Sequence, residues 1–356
     1  MFYFCLLSVY NFFQKHYTRR RSTARFIIII FKAVKMITHI IQSQNTAPQD
    51  NLALEEHLGD ICGPDDVWLY LWQNSDSIII GRNQNPWREC RVSLLKKDGI
   101  QLVRRNSGGG AVFHDLGNLN FTFIASPELY DLNRQLKTVL AALASFGIQA
   151  EFSGRNDITA GGRKFSGNAF THKKHVSIQH GTLLVNSNMG KLSEYLTASK
   201  AKLQSKGVAS TRARVCNLSE LCPSISVEKL KIALHGAFNQ IYNMQAVCEP
   251  IIPQSNYSHL IEKFYSEQWN YMQSPAFAAQ FETRFPWGEI QLYLDTRHGV
   301  IEHALLFSDA LDADFISSIP PLMEGLPFSP ENMASVIDGS TPQGADLKNW
   351  LLFLEL

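Results

Sequence analysis

The sequence predicts an α/β protein of mixed α+β architecture in two domains, and three observations lead to this prediction. The chain has 356 residues, which exceeds the length of one average domain. Apolar residues make up 45% and charged residues 18% of it, a balance typical of a soluble protein with a sizeable core. Segments with strand and helix periodicity alternate along the chain, and a fresh strand pattern begins after about residue 280. We therefore expect a large domain at 36–275 and a small α+β domain at 280–356.

Residues 1–35 differ in composition from the rest, because they contain seven Lys or Arg and no Asp or Glu. Their apolar runs are shorter than the roughly 18–20 residues that span a bilayer, so no stable membrane insertion is expected. The order of apolar run and basic cluster is the reverse of a signal peptide. Two interpretations remain, namely a misassigned extension before a true start at Met36, or an organellar targeting segment. The first predicts a cytoplasmic protein.

Charge and cysteine usage exclude several classes of protein. Without the seven basic residues of 1–35, 26 of the 33 Lys and Arg remain against 32 Asp and Glu. This net charge of −6 argues against nucleic-acid binding. The six cysteines are scattered with no C-x-x-C pair, which indicates neither a disulfide framework nor a zinc site, and favours a reducing compartment.

The first half of the large domain alternates predicted helices and strands. Residues 48–59 have the spacing and flanking residues of a capped amphipathic helix. The apolar runs 67–73 and 77–81 are separated by the turn-forming residues 74–76, so the pattern predicts a hairpin. The elements that follow are a helix at 86–99, strands at 100–105, 111–114 and 119–125, and a helix at 132–147.

The remaining pattern continues the sheet and then opens the small domain. A sheet-forming block extends to about residue 185, and helices are expected near 189–207 and 226–244. In the small domain, strands are expected at 288–295 and 299–309, joined by a short turn.

The stretch "RRNSGGGAVFHDLGN" at 104–118 carries three consecutive glycines. It matches neither a P-loop nor a dinucleotide fingerprint, since a strand rather than a helix follows the glycines. Exposed backbone N–H groups in such a loop can cradle an anion, and Arg104 and Arg105 can supply forked donors to a phosphate or carboxylate. The alternative is a glycine-rich turn of an ordinary sheet, with both arginines in solvent.

The stretch "GRNDITAGGRKFSGNAF" at 154–170 predicts a hairpin with a two-residue turn at Gly161–Gly162. Pairing from that turn directs Ile158 and Phe165 to the core. The opposite face carries four polar side chains, namely Asp157, Thr159, Lys164 and Ser166. A carboxylate beside an ammonium and two hydroxyls suits a phosphate and its Mg²⁺, whereas the alternative is a surface hairpin with an inconsequential ion pair.

Two further stretches carry candidate residues with open alternatives. In "VSIQHGTLLV" at 176–185, His180 lies within an apolar strand, where either a catalytic or a core histidine is possible. In "SKGVASTRARVCNL" at 205–218, three basic residues alternate with small ones, namely Lys206, Arg212 and Arg214. A loop that closes over an anionic intermediate and a solvated basic connector both fit this pattern.

Together these four stretches, with "NLALEE" at 51–56 and "WQNSDSIIIGRNQNPWREC" at 72–90, closely resemble the lipoate–protein ligase A family. The resemblance extends over 36–356 in order. It implies a biotin/lipoate protein ligase-like catalytic domain with a mixed sheet, followed by a small accessory domain. The 1–35 extension lies outside the family pattern, and the hairpin before Lys164 is shorter than in some members.

The resemblance implies an ATP-dependent ligase that forms lipoyl-AMP and pyrophosphate, then transfers the lipoyl group to a specific lysine of a lipoyl domain. Implied acceptors are the E2 subunits of 2-oxoacid dehydrogenases and the glycine-cleavage H protein, and a monomer is expected. Implied ATP contacts are Arg105, Gly110, Ala111, Val112, Phe113, Asp157 and Lys164, with Asp157 also a candidate Mg²⁺ ligand. Implied lipoate contacts are Trp72, Gly108, Gly109, Lys164 and His180. Lys164 is the implied catalytic residue, and Lys206, Arg212 and Arg214 would cover the adenylate.

Three alternatives to this function make different demands on the sequence. An octanoyl or lipoyl transferase of the same fold needs a cysteine thioester, and Cys216 is the one cysteine in the four site stretches. A biotin–protein ligase needs an adenylate loop of the GRGRxGR type, which this sequence lacks. A non-catalytic lipoate-binding protein would have lost Lys164 or the glycine triple, and both are present. His114 and Asp115 are expected to brace the glycine loop.

Overall fold

A mixed sheet of eight strands organises the described part of this computed structural model, which comprises 36–153, 156–196, 215–271, 279–297 and 299–354. The extension at 1–35 lies outside that part. The strands in chain order are β1 (Ile37–Gln42), β2 (Asp66–Trp72), β3 (Ser77–Ile80), β4 (Gln101–Arg104), β5 (Val112–His114), β6 (Asn118–Ala125), β7 (Glu151–Ser153), β8 (Asp157–Ala160), β9 (Arg163–His172), β10 (Ser177–Leu184), β11 (Val247–Cys248), β12 (Ala279–Phe285), β13 (Gly288–Arg297) and β14 (Val300–Ser308).

Helices pack against the sheets or connect their strands. In chain order they are α1 (Pro48–Ile61), α2 (Pro86–Glu89), α3 (Val92–Asp98), α4 (Leu132–Ala144), α5 (Met189–Tyr195), α6 (Leu218–Leu221), α7 (Val227–Tyr242), α8 (Ser258–Tyr265), α9 (Glu267–Tyr271), α10 (Ala313–Met323), α11 (Pro330–Ser335) and α12 (Pro342–Leu352). The helix predicted at 86–99 is thus two short helices, α2 and α3. The helix predicted at 189–207 is described as far as residue 195, and 197–214 lie outside the described residues.

The large sheet has the order β11-β1-β2-β6-β10-β9-β8-β7. The pairings of β1 with β11 and β2 are parallel, whereas those from β2 through β6, β10, β9 and β8 to β7 are antiparallel. The fold is therefore mixed α/β, as the sequence predicts.

The central strand β6, "NLNFTFIA", shows how alternation positions the site. Its apolar members Leu119, Phe121 and Phe123 are fully buried in a core that α4 and α7 complete. Its polar members face the other way, toward a second core formed with α1 and α8. These polar members are Asn118, Asn120 and Thr122, all at most 2% exposed. Buried polar side chains on one sheet face mark that face as the candidate site.

The predicted hairpin of 67–73 and 77–81 is wrong. β2 lies between β1 and β6 in the large sheet, whereas β3 is the middle strand of a second sheet of order β4-β3-β5. The residue between them that looks like a turn former, Asn74, is fully buried. Both runs are almost entirely buried, so neither has the polar alternation that would identify its partner.

The hairpin of β8 and β9 has the predicted register only near its turn. Ala160 pairs with Arg163 and Thr159 with Lys164, as expected, but a bulge then places Ile158 opposite Ser166. Ser166 therefore shares the core side with Ile158 and is fully buried, which corrects the prediction that it lies beside Lys164.

The C-terminal segment forms a three-stranded antiparallel sheet, β12-β13-β14, whose core includes residues of α10, α11 and α12. The predicted pairing of 288–295 with 299–309 is confirmed as β13 and β14. The edge strand β12 was not predicted. Its side chains alternate between exposed and half-buried, with no fully buried position, so its apolar signal is weak.

Candidate active site

A cleft of about 190 Å³ lies between the polar face of the large sheet and the small sheet β4-β3-β5. Nine of the residues that the sequence singles out line it, namely Trp72, Arg105, Gly109, Gly110, Ala111, Val112, His114, Lys164 and His180. Gly108, Phe113 and Asp157 are not in the lining. Lys206, Arg212 and Arg214 lie outside the described residues.

One cross-strand row of side chains forms the floor of the cleft. Trp72 on β2 pairs with Asn120 on β6, which pairs with Thr182 on β10. The Thr182 hydroxyl then accepts a hydrogen bond from the Gly167 amide on β9, 3.1 Å away. A Cβ at Gly167 would lie 3.2 Å from Lys164 Nζ, so the ammonium lies directly above this end of the row. The row therefore extends from the Trp72 indole to the Lys164 ammonium.

Lys164 is the second residue of the strand β9 and forms an ion pair with Asp157, with Nζ 2.7 Å from Oδ1. Both side chains are 37% exposed, so a ligand can reach them. The Lys164 carbonyl accepts a hydrogen bond from the Cys216 amide, and Val215 forms a parallel bridge with Lys164. The two residues that follow Arg214, the last of the basic residues expected to cover the adenylate, thus pair with Lys164.

Arg105 holds the glycine loop in shape from inside. Its Nη2 donates to the carbonyls of Gly108 (2.6 Å) and Gly110 (2.9 Å), and its Nη1 donates to Ile79 (3.2 Å). Its Nε donates to the Ser107 hydroxyl (3.0 Å). Burial lowers the pKa of the guanidinium to about 10, so it remains charged at neutral pH. Four of its five donors are used by the protein, and one remains for a ligand.

A buried hydrogen-bonded chain connects Ser107 to Trp72 through His180. Ser107 Oγ lies 2.8 Å from His180 Nε2, and His180 Nδ1 lies 2.9 Å from Glu55 Oε1. The same carboxylate accepts from the Thr122 hydroxyl at 2.7 Å, and Thr122 accepts from Trp72 Nε1 at 3.0 Å. Both ring nitrogens of His180 therefore have hydrogen-bond partners, and the residue holds one wall of the cleft in place. His180 also lines that wall.

Arg104 does not reach the cleft, which corrects the expectation of a paired arginine donor. Its side chain is fully buried and donates to five backbone carbonyls, those of Gly81, Arg82, Gln84, Trp269 and Asn270. Burial lowers the pKa of this guanidinium to about 10. Arg104 thus fastens the 81–84 turn to the helix α9.

The group that approaches the backbone of the glycine loop closely is another segment of the protein and not a ligand. A Cβ at Gly108 would lie 2.3 Å from the Ala310 carbonyl oxygen and 2.5 Å from that of Leu311. The next amide, Gly109 N–H, donates to the same Ala310 oxygen at 2.8 Å, and Gly109 has a left-handed φ of 90°. Gly110 has open space around it. Gly108, expected to contact lipoate, therefore contacts the C-terminal segment instead.

Phe113 and Asp115 serve the surrounding structure. The Phe113 side chain is buried in the core of the small sheet, where it stacks on Tyr195, so only its backbone could face a nucleotide. The Asp115 carboxylate accepts from the amides of Gly117 and Asn188, so it braces the turn between β5 and β6. His114 Nδ1 bonds Asn74, so neither side chain has the expected contact with the glycine loop.

A charged cluster supports the glycine loop from α8. Lys263 Nζ donates to Glu56 Oε2 at 2.7 Å and to Asn106 Oδ1 at 3.0 Å. Burial alone would raise the pKa of the Glu56 carboxyl, but hydrogen bonds from Lys263 and Asn106 outweigh it and lower that pKa. The ammonium also lies 4.2 Å from the Trp269 ring centroid.

Several cleft residues escaped the sequence analysis. They are Leu52, Ile79, Asn120, Asn156, Asn168 and Thr182. Strict alternation in "NLNFTFIA" is the signal that could have identified Asn120, because polar residues on one face of a strongly apolar strand need a reason to be buried. No comparable signal marks Asn156 or Asn168.

Neither a metal cluster nor a membrane helix is found in the described residues. No group of three or more His, Cys, Asp or Glu there could hold a metal ion. No described helix has the length and apolar character required to cross a bilayer.

Two family models match the chain. The lipoyl protein ligase A/B catalytic domain matches residues 47–239, and the bacterial lipoate protein ligase C-terminus matches residues 274–345. A curated relative, lipoate-protein ligase A of Psychrobacter cryohalolentis, is 38% identical over 334 residues, which cover 89% of this chain and 98% of the relative.

Solved structures show the same likeness. P. falciparum LipL1 in complex with lipoate has a TM-score of 0.78 at 31% identity, covering 88% of this chain and 99% of its own. A bipartite lipoate protein ligase of Thermoplasma acidophilum, described together with its E2 lipoyl domain, has a TM-score of 0.61 at 27% identity, covering 68% and 100%. A lipoate-protein ligase A bound with ATP has a TM-score of 0.58 at 28% identity, covering 67% and 98%.

Proposed function

Because the chain belongs to the lipoate–protein ligase family and is therefore a ligase, we propose that it attaches lipoate to lipoyl domains with ATP. It first forms lipoyl-AMP and pyrophosphate, then transfers the lipoyl group to a specific lysine of the acceptor. The observation that carries this proposal is the position of Lys164, whose ammonium lies at one end of the cross-strand row in a cleft that the glycine loop also lines.

Adenylation requires a carboxylate to approach the α-phosphate, and these two anions repel each other. We infer that Lys164 exchanges its ion pair with Asp157 for contacts with both anions. The ammonium then neutralises the charge that develops in the transition state and orients the in-line attack. We propose that the fifth donor of Arg105 and the segment 110–112, which lines the cleft, contact the nucleotide.

Mg²⁺ fits this site as a companion of the nucleotide rather than as a resident ion. It commonly uses one or two carboxylates together with substrate phosphates, and Asp157 supplies one accessible carboxylate. When bound, the ion would shield the charge of the pyrophosphate leaving group. We propose Asp157 as its protein ligand.

We also propose the acceptor proteins, the roles of the two domains, the oligomeric state and the cellular location. A T. acidophilum relative is described with its E2 lipoyl domain, which supports an E2 lipoyl domain as an acceptor. We propose the lipoyl domains of 2-oxoacid dehydrogenase E2 subunits and the glycine-cleavage H protein as the acceptors of this chain. We also propose that 36–275 is the catalytic domain, that 280–356 is an accessory domain, that Lys206, Arg212 and Arg214 cover the adenylate, and that a cytoplasmic monomer is the working form.

The thioester alternative finds no support in the geometry. Cys216 is fully buried in the core beneath the sheet, and burial raises the pKa of its thiol. A thioester nucleophile needs an accessible thiolate, and Cys216 supplies neither property.

The decisive experiment incubates the protein with ATP, lipoate and an apo lipoyl domain, and then weighs the domain. We expect the mass of one lipoyl group to be added, with pyrophosphate released. Lys164→Ala should reduce pyrophosphate release by about 100-fold or more. The matched control is Lys174→Ala, at an exposed lysine in the turn between β9 and β10. Equal rates for the two variants would contradict the role of Lys164.

A further inference from the structure

Two buried side-chain nitrogens of cleft-lining residues have no hydrogen-bond partner among the described residues. His114 Nε2 and Asn120 Nδ2 accept or donate no hydrogen bond there, although His114 is 3% and Asn120 2% exposed. Both residues line the cleft. Buried N–H groups are normally paired, so each of these sites needs an explanation.

The hydrogen bonds behind His114 determine its tautomer. Asn51 Nδ2 contacts the backbone carbonyls of Asn45 and Gln73, which only accept, so this atom is the amide nitrogen. Its two hydrogens are shared with the Asn74 side-chain atom 3.0 Å away, which is the acceptor Oδ1 because a second N–H group there would oppose the first. The other end of the Asn74 amide is therefore its nitrogen, which donates to His114 Nδ1 at 3.1 Å. Burial, with Arg105 nearby, lowers the pKa of His114 to about 3. The imidazole is thus neutral and carries its proton on Nε2.

The two donors lie at the end of the cleft that is opposite Lys164. The His114 ring meets the Trp72 indole edge-on, with centroids 6.2 Å apart, and Asn120 is the cross-strand neighbour of Trp72. From Lys164 on β9 to Trp72 on β2 there are three strand spacings, or about 14 Å. Apolar side chains surround this end, among them Leu52, Ile79 and Val112.

An acyl chain with its carboxylate at Lys164 reaches this end of the cleft. Lipoate extends roughly 9 Å from its carboxyl carbon to its far sulfur, and the Lys164 and Trp72 side chains occupy the rest of the span. The nucleotide must attach at the same carboxylate, on the side of Lys164 and its half-exposed ion-pair partner Asp157. The dithiolane ring, and not the nucleotide, therefore lies beside His114 and Asn120.

We propose that His114 Nε2–H and Asn120 Nδ2–H select the 1,2-dithiolane of lipoate over a plain saturated chain such as octanoate. Resting on the proposed function, this inference assigns its acyl preference. A disulfide sulfur accepts hydrogen bonds weakly, whereas a methyl terminus accepts none. Octanoate would leave both donors buried and unpaired, and a site built around polar groups disfavours the analogue that cannot satisfy them.

The test compares kcat/KM for lipoate and octanoate, measured as pyrophosphate release in the presence of an apo lipoyl domain. We expect the wild type to prefer lipoate by about 10-fold. His114→Phe keeps a ring but removes the donor, so the ratio should fall to about 1 while the KM for ATP stays within about twofold. His114→Gln, whose amide nitrogen can take the place of Nε2, should retain the preference.

A second variant keeps the inference testable if His114→Phe does not fold. Asn120→Leu removes the other donor at similar volume and should also lower the ratio. The inference is overturned if the wild type has no preference, if both substrates lose efficiency equally, or if His114→Gln behaves like His114→Phe. It is also overturned if His114→Phe raises only the KM for ATP, which would place the nucleotide at this end. Absence of pyrophosphate with either acid in the wild type would instead reject the proposed function, and this inference with it.

Discussion

At the scale of single residues, Cys216 distinguishes an adenylating ligase from a thioester transferase. We expect Cys216→Ala to retain ligase activity within about twofold, because the thiol is fully buried and does not line the cleft. The variant should lose about 1–2 kcal/mol of unfolding free energy, since a core group is removed. Activity assays and urea denaturation measure the two effects separately. Complete loss of activity in a variant that remains folded would revive the thioester mechanism.

The buried imidazole of His114 should also make the protein sensitive to acid. Its pKa of about 3 in the folded state is far below the ordinary value of 6.5. Between these two pH values the histidine is therefore protonated in the unfolded chain but not in the folded chain. The stability that this histidine contributes is complete above pH 6.5 and falls by about 1.4 kcal/mol per pH unit below it, toward pH 3.

Urea midpoints at pH 7 and pH 5 measure this effect. His114→Phe should lose less stability on acidification than the wild type, whereas His303→Phe, at an exposed position, should behave like the wild type. Parallel loss in the wild type and both variants would show that His114 is not held neutral.

The residues that sequence patterns could identify are those with unusual local chemistry. Lys164 follows a glycine turn and Trp72 ends an apolar strand, and both line the cleft as predicted. The role of His180 could not be predicted, because its partners Glu55 and Ser107 lie 125 and 73 positions away in sequence. Hydrogen bonds between distant segments leave no periodicity in either segment.

At the scale of elements, the glycine loop depends on a close contact with the C-terminal segment. Gly108→Ala would place a Cβ 2.3 Å from a backbone oxygen of Ala310, so the loop or that segment must move. We expect a loss of about 1–3 kcal/mol of unfolding free energy. Gly110→Ala is the matched control, since its Cβ would meet nothing within 4 Å and should change stability by less than about 0.5 kcal/mol. Thermal melts of both variants test this, and equal losses would mean that the contact at Ala310 is not the cause.

The hairpin that carries Lys164 shows how far element-level prediction extends. The turn and the first two cross-strand pairs follow from Gly161–Gly162, which both adopt a left-handed φ. The bulge beyond Thr159 does not follow, because alternation with or without one extra residue fits the same short sequence. The consequence is confined to Ser166, which lies in the core, while Lys164 stays on the site face.

At the scale of the whole molecule, the sequence predicts the fold class but not how the strands divide between sheets. The runs of β2 and β3 are adjacent in sequence and equally apolar, yet they join different sheets with the cleft between them. Between the two runs lies Asn74, which is buried and bonded to Asn51 and His114. The sequence does not show whether an asparagine lies in an exposed turn or is buried, because only its hydrogen-bond partners in distant segments distinguish the two cases.

The same scale decides how firmly the C-terminal segment is attached to the catalytic part. Asn83 connects the two, because its amide nitrogen donates to the Ala313 carbonyl at 2.8 Å and its amide oxygen accepts from the Ser317 hydroxyl at 3.1 Å. Asn83→Ala removes both bonds and should weaken the free energy of interaction between the C-terminal segment and the catalytic part by about 1–2 kcal/mol.

Calorimetry can detect the loss of that coupling. Residues 36–356 form one compact unit, so we expect one main transition in the wild type, and a broadened or divided one in Asn83→Ala. Asn332→Ala removes an amide whose one bond among the described residues is to Ser329, within the C-terminal segment, and should lower the transition temperature without dividing it. A transition of unchanged shape in Asn83→Ala would mean that the remaining contacts are sufficient for the coupling, namely the backbone bonds Gly109–Ala310 and Ser308–Asn83 and the ion pair Arg82–Asp314.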